Sequence, residues 1–186
     1  RTWQITVYEE HYETPAWMKG GVMYQIFPDR FYKVGNRPIA DWKVRREDWG
    51  GMPSYRPNEY GKVLNNDFFG GNLNGITEKL DYLKSLGITV IYLNPIFEAY
   101  SNHRYDTGDY LKIDTQLGTT EDFDRLIAEA KKRGIHIVLD AVLNHTGSDS
   151  RYFNRYGRYD SVGAYQSLSS PYYEWYRFRN FPDSYE

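Results

Sequence analysis

Ile135-His-Ile-Val-Leu-Asp-Ala-Val-Leu-Asn-His145 is the stretch on which the reading of this chain turns. It starts as a short apolar run and changes character at Asp140. Before it, Thr120 to Arg133 has helical spacing, with Phe123, Leu126, Ile127 and Ala130 on one stripe. Gly134 offers the left-handed conformation that ends a helix. The spacing therefore predicts a helix over 120–133, then a strand over 135–139 apolar enough for burial on both faces. A carboxylate placed just past such a strand is paired or part of a site, because an unpaired buried charge is costly.

The same grammar repeats upstream. Asn74 to Leu86 reads as a helix with Ile76, Leu80, Leu83 and Leu86 inward, Asn74 as N-cap and Gly87 as C-cap. Ile88 to Leu93 reads as a buried strand, and so does Val22 to Phe27. Trp3, Ile5 and Val7 alternate with Thr2, Gln4 and Thr6, which predicts a strand within Arg1–Tyr12, broken at Thr14-Pro15. Ser170-Pro171 predicts the start of a short helix over Tyr172–Phe178. Two long stretches, 29–67 and 94–118, read as loops, and both follow strands.

Strand, helix, strand, helix, strand with continuous apolar strands predicts parallel βαβ units, an α/β class. Long loops at the C-terminal strand ends suit a barrel with its site on that face. An open doubly wound sheet shares the alternation, but no G-x-G-x-x-G or G-x-x-x-x-G-K-[ST] follows any strand, so nucleotide binding is not supported. At 186 residues the chain is short for a closed barrel of about 250. A net charge of −2 gives no basic footprint for nucleic acid. No apolar run spans a membrane and no signal-peptide pattern opens the chain, which leaves extracellular and cytoplasmic sites both open. Cysteine is absent, so thiolate chemistry is excluded. Aromatic residues make up 18%, including 19 Tyr and 5 Trp. Such rings suit sugar faces, but ordinary cores use them too.

Asp140, Asn144 and His145 carry donor and acceptor chemistry, yet Asp-x-x-x-Asn-His alone is a weak signal. The chain as a whole is more specific. Tyr24-Gln-Ile-Phe-Pro-Asp-Arg-Phe31, Phe69-Gly-Gly-Asn-Leu-Asn-Gly-Ile76, Leu86 to Ile96, Ser101-Asn-His-Arg-Tyr-Asp-Thr-Gly-Asp-Tyr110 and Asp140 to His145 occur in an order and spacing that resembles glycoside hydrolase family 13, the α-amylase family. The resemblance is nearest to its neopullulanase, cyclomaltodextrinase and amylopullulanase branch.

That resemblance implies a partial TIM (β/α)8 barrel, roughly its first three strands and two helices. Residues 1–15 would be the tail of a preceding β-domain or a linker, 16–145 the first part of the barrel, and 146–186 the start of the inserted domain B. It implies that Tyr105 stacks on a glucose ring, that His145 donates to a sugar hydroxyl, and that His103 and Asp106 shape the same loop. Asp140 becomes a supporting carboxylate paired with an arginine on a later strand. Asn144 matches a calcium-ligand position, so Ca²⁺ is the one cofactor implied. A second calcium position near the first strand departs from the branch pattern, because Asn72 follows Gly70-Gly71 where a carboxylate is usual.

Retaining glycosidases need two carboxyl groups about 5 Å apart. The family draws them from later strands, and no Arg-x-Asp on a buried strand follows His145. Asp149, Asp160, Glu174, Asp183 and Glu186 read as solvated or hydrogen-bonded surface groups. The expectation is a fragment of an α-glucan hydrolase that binds sugar and does not cut it, completed by self-association or by a further chain segment. The alternative is a non-catalytic α-glucan-binding module using Tyr105, His145 and exposed Trp42, Trp49 and Trp175.

Overall fold

The computed structural model describes residues 3–185. At its centre lies a parallel sheet of three strands: β1 (Met23–Ile26), β4 (Val90–Leu93) and β7 (His136–Leu139), in the order β1-β4-β7. The register pairs Ile26 with Leu93 and Leu93 with Leu139, so the three strands end level. Between β1 and β4 run a two-stranded parallel pair, β2 (Val44–Arg45) and β3 (Asp67–Phe68), and then helices α1 (Leu73–Glu78) and α2 (Leu80–Ser85). Between β4 and β7 run an antiparallel pair, β5 (Phe97–Ala99) and β6 (Thr107–Ile113), and helix α3 (Thr120–Lys132). Beyond β7, turns lead to a small hairpin of β8 (Phe178–Asn180) and β9 (Ser184–Tyr185).

The apolar core lies between the sheet and the helices: Ile26, Leu73, Ile76, Leu80, Leu83, Ile91, Leu93, Leu126 and Ala130 are buried together. β4, the middle strand, is covered on both faces as its sequence predicts. β1 and β7 are not. Met23, Tyr24 and Gln25 are exposed, and β7 is at most half-buried. Both are edges of an open sheet, where no neighbouring strand covers them.

Several expected elements differ. Residues 3–12 form no strand, and Trp3, Ile5 and Val7 are exposed, because nothing lies beside them to complete a ladder. Arg1 and Thr2 of that expected strand lie outside the described residues. The first helix is capped by Asn72, not Asn74. It is interrupted at Lys79, beyond Thr77, whose hydroxyl donates to Leu73 O (2.9 Å) in a pattern that bends helices. Leu86 and Ile127 were expected inward but are 51% and 41% exposed. Leu86 lies past the end of α2, and Ile127 flanks the Phe123, Leu126, Ala130 stripe that meets the core. The stretch 94–118 hides the β5–β6 hairpin, whose register shifts blur the two-residue alternation. Tyr172–Phe178 makes only one 3-10 turn, Tyr173–Trp175, before turning extended.

Asn72 also fastens the loop after β1. Its Oδ1 accepts from Gly75 N (2.9 Å) while its Nδ2 donates to Val34 O (2.8 Å). An aspartate would keep the cap but turn a second oxygen on the Val34 carbonyl. Asn72→Asp should therefore lose about 1–3 kcal/mol, read as a lower urea midpoint. An unchanged midpoint would show that the Val34 contact does not hold the loop.

Candidate sugar-binding site

The level ends of the three strands bring three polar residues side by side. Gln25 lies in β1, Asn94 follows β4 and Asp140 follows β7. Gln25 Nε2 donates to Asn94 Oδ1 (2.8 Å), and Asn94 Nδ2 donates to the Tyr105 hydroxyl (3.3 Å). That hydroxyl donates to Asp140 Oδ2 (2.9 Å). One hydrogen-bond relay thus crosses the sheet and fixes the Tyr105 ring. Burial, reinforced by the Asp140 carboxylate, pushes the Tyr105 phenol up to about 12. It therefore stays protonated, and a donor, at neutral pH.

Tyr105 sits on a tightly tied loop. Asp106 accepts from Ser101 N (3.1 Å) and from the Ser101 hydroxyl (2.5 Å). His103 Nδ1 accepts from Tyr105 N (3.1 Å), and burial holds the His103 imidazole below its ordinary range. Between them Arg104 adopts φ +61° and turns inward, only 1% exposed. Its Nε donates to Asp114 Oδ2 (2.7 Å) and its Nη1 to Asn102 O (3.0 Å). The loop is thereby pinned from below by a buried ion pair, and Lys43 approaches the same Asp114 carboxylate at 3.8 Å.

His145 reaches the site from the other side. Its Nε2 lies 3.0 Å from Tyr105 O. A carbonyl only accepts, so Nε2 carries the proton and Nδ1 faces Asn144 Nδ2 (3.3 Å) as acceptor. The donor expected to meet a sugar hydroxyl is thus committed to the Tyr105 backbone here. Tyr110 holds the segment in place, its hydroxyl donating to Val142 O and lying 2.8 Å from His145 O. A cavity of about 1000 Å³ opens beside Asn144 and His145, walled by Tyr110, Tyr152, Trp175 and Tyr176.

The structure therefore brings Tyr105, His103, Asp106, Asp140 and His145 together. Asn144 is exposed beside them, and no group of three His, Cys, Asp or Glu side chains suited to a metal occurs among the described residues. The Asn144 carboxamide supplies one of the 6–8 oxygens that Ca²⁺ takes, and the others would have to come from backbone carbonyls, water or further side chains. Trp42, Trp49 and Trp175 line three different recesses rather than one surface. Asp149 is not a freely solvated group: it is half-buried against Arg158 (3.2 Å), and burial raises its carboxyl.

A family model described as alpha amylase, catalytic domain, matches residues 25–184. The chain belongs to the α-amylase family. This α-amylase-family chain is 50% identical over 201 residues to an amylopullulanase from Thermoanaerobacterium saccharolyticum, covering 95% of this chain and 15% of that protein. It is 41% identical over 171 residues to a maltogenic alpha-amylase from Bacillus acidopullulyticus, covering 92% and 26%. A solved cyclic alpha-maltosyl-(1→6)-maltose hydrolase from Arthrobacter globiformis, in complex with that cyclic sugar, matches with TM-score 0.73 and 39% identity, over 92% of this chain and 36% of that one. The chain thus spans well under half the length of these relatives. Its fold is part of a (β/α)8 barrel, and the strand-end site lies on the face where such barrels place their chemistry. No helix among the described residues is long and apolar enough to cross a membrane.

Proposed function

We propose that these residues form the glucose-binding part of a retaining α-glucan hydrolase and, alone, bind maltooligosaccharides without cleaving them. The relay Gln25, Asn94, Tyr105, Asp140 carries this reading, because it presents an oriented aromatic face beside His145 at the strand ends. A sugar ring stacks on such a face through its C–H groups, while its hydroxyls meet the surrounding polar atoms. The carboxylates nearest the ring have structural duties. Asp140 takes the Tyr105 hydroxyl and Asp106 takes Ser101, so neither stands free as a nucleophile with an acid partner.

Titration of the chain with maltotriose tests it. Binding should be saturable, and Tyr105→Ala should weaken it about tenfold or more, a loss of ~1.4 kcal/mol. No reducing sugar should appear from starch or pullulan. Unchanged affinity in the variant removes the stacking role; clear turnover removes the claim that the chain binds without cutting.

A further inference from the structure

A second recess, of about 220 Å³, is lined by Trp42, Lys43, Glu98, Tyr100, Gln116 and Arg158, and by none of Tyr105, Asp140 or His145. Each of its charges has a partner, with Asp114 shared with Arg104 and Glu98 paired outside the lining. Lys43 lies 3.8 Å from Asp114, Arg158 lies 3.2 Å from Asp149, and Glu98 lies 2.5 Å from Lys112. Among the described residues, no cation lining this recess is left unpaired to draw a phosphate or carboxylate. Hydrogen-bonding capacity remains, since an ammonium has three donors and a guanidinium five. Gln116 is only 5% exposed. Its Oε1 accepts from Lys43 Nζ (2.6 Å), yet its Nε2 has no acceptor among the described residues. A buried amide N–H left this way is destabilising, so an oxygen that a turn of the Gln116 side chain brings within reach would be favoured there.

The rim is aromatic. Trp42 and Tyr100 are parallel within 1°, their centroids 5.9 Å apart. The Arg158 guanidinium lies 4.5 Å from the Tyr100 centroid and 5.2 Å from that of Trp42. Trp42 is nonetheless 47% exposed, so indole surface is left for a ligand. Flat aromatic surface, paired charges and an unpaired buried amide donor together suit a neutral ring with C–H faces and hydroxyl edges. We propose that this recess is a second carbohydrate site, separate from Tyr105, that takes one hexopyranose unit.

Protein-observed NMR on the full chain tests it, with the Trp42 indole N–H assigned through Trp42→Phe. Glucose should shift that resonance saturably, in the wild type and equally in Tyr105→Ala, while inorganic phosphate leaves it unmoved. Trp42→Ala should weaken glucose binding at the recess at least tenfold while binding at Tyr105 persists. A Trp42 resonance indifferent to glucose, or one that answers phosphate instead, overturns the proposal. Loss of the shift in Tyr105→Ala also overturns it, by assigning the only sugar site to the strand ends; loss of maltotriose binding at Tyr105 with the Trp42 shift intact overturns the strand-end reading alone.

Discussion

Asp114→Ala should destabilise the chain by about 3–5 kcal/mol, as breaking a fully buried ion pair usually does. The carboxylate is buried with Arg104 Nε at 2.7 Å and Lys43 Nζ at 3.8 Å. Its removal leaves two cations facing each other without an anion, and Arg104 has no route to water from its 1% exposure. Because Arg104 stands between His103 and Tyr105, the loop that carries Tyr105 should loosen together with the fold. Acid titration supplies a second readout. Burial pushes the Asp114 carboxyl up, but Arg104, Lys43 and the Gln116 N–H together outweigh burial and hold it below its ordinary 3.8. The unfolded chain then binds this proton more tightly than the folded one. The stabilisation is therefore fully present above about pH 4 and fades as pH falls through the depressed value. Asp29, raised by burial, acts in the opposite sense, and comparison of wild type with Asp114→Ala cancels it. The difference in urea midpoint between the two proteins should be largest near pH 7 and shrink toward pH 3. A difference that does not move with pH would mean the pair contributes packing only.

Gly75→Ala should also destabilise, although helix propensity says the reverse. Alanine is favoured over glycine inside a helix by about 1 kcal/mol. Gly75, however, packs against the backbone of Tyr32. An added Cβ would fall well inside contact distance of the Tyr32 carbonyl oxygen and only 2.6 Å from its carbon. Backbone cannot swing aside as a flexible side chain can, so overpacking of about 1–3 kcal/mol should win, with more if the loop after β1 cannot shift. A midpoint that rises in urea would show that the helix and the loop separate at no cost.

These two positions mark what the sequence makes legible and what it hides. The alternation of apolar runs and helical stripes is local, and it places β1, β4, β7 and α3 within a residue or two. Asp140 stands out because a carboxylate ends an apolar run. Asn94 follows β4 in the same way and could have been found by the same signal. Arg104 and Asp114 could not. Nothing in Ser101 to Tyr110 distinguishes an arginine turned into the interior from one in water; that depends on Asp114, just past β6, and on Lys43, brought in from a distant loop. Asn72 and Asn74 both precede the apolar stripe, and the sequence alone does not separate them as caps. Only the position of Val34 O, set by the loop after β1, separates them. Edge exposure in β1 and β7 likewise follows from sheet order, which apolar content does not encode.

The relay from Gln25 to Asp140 draws one residue from within or just past each strand of the sheet. A one-residue slip of either outer strand would turn its polar residue to the opposite face and cut the relay. The proposed recognition would therefore be thermodynamically linked to strand alignment. On the proposed function, a sugar held at Tyr105 would bind only the aligned state, and its free energy would add to that state as RT ln(1 + [L]/Kd). Glucan would act on this sheet as a clamp, resisting its melting in proportion to the logarithm of its concentration.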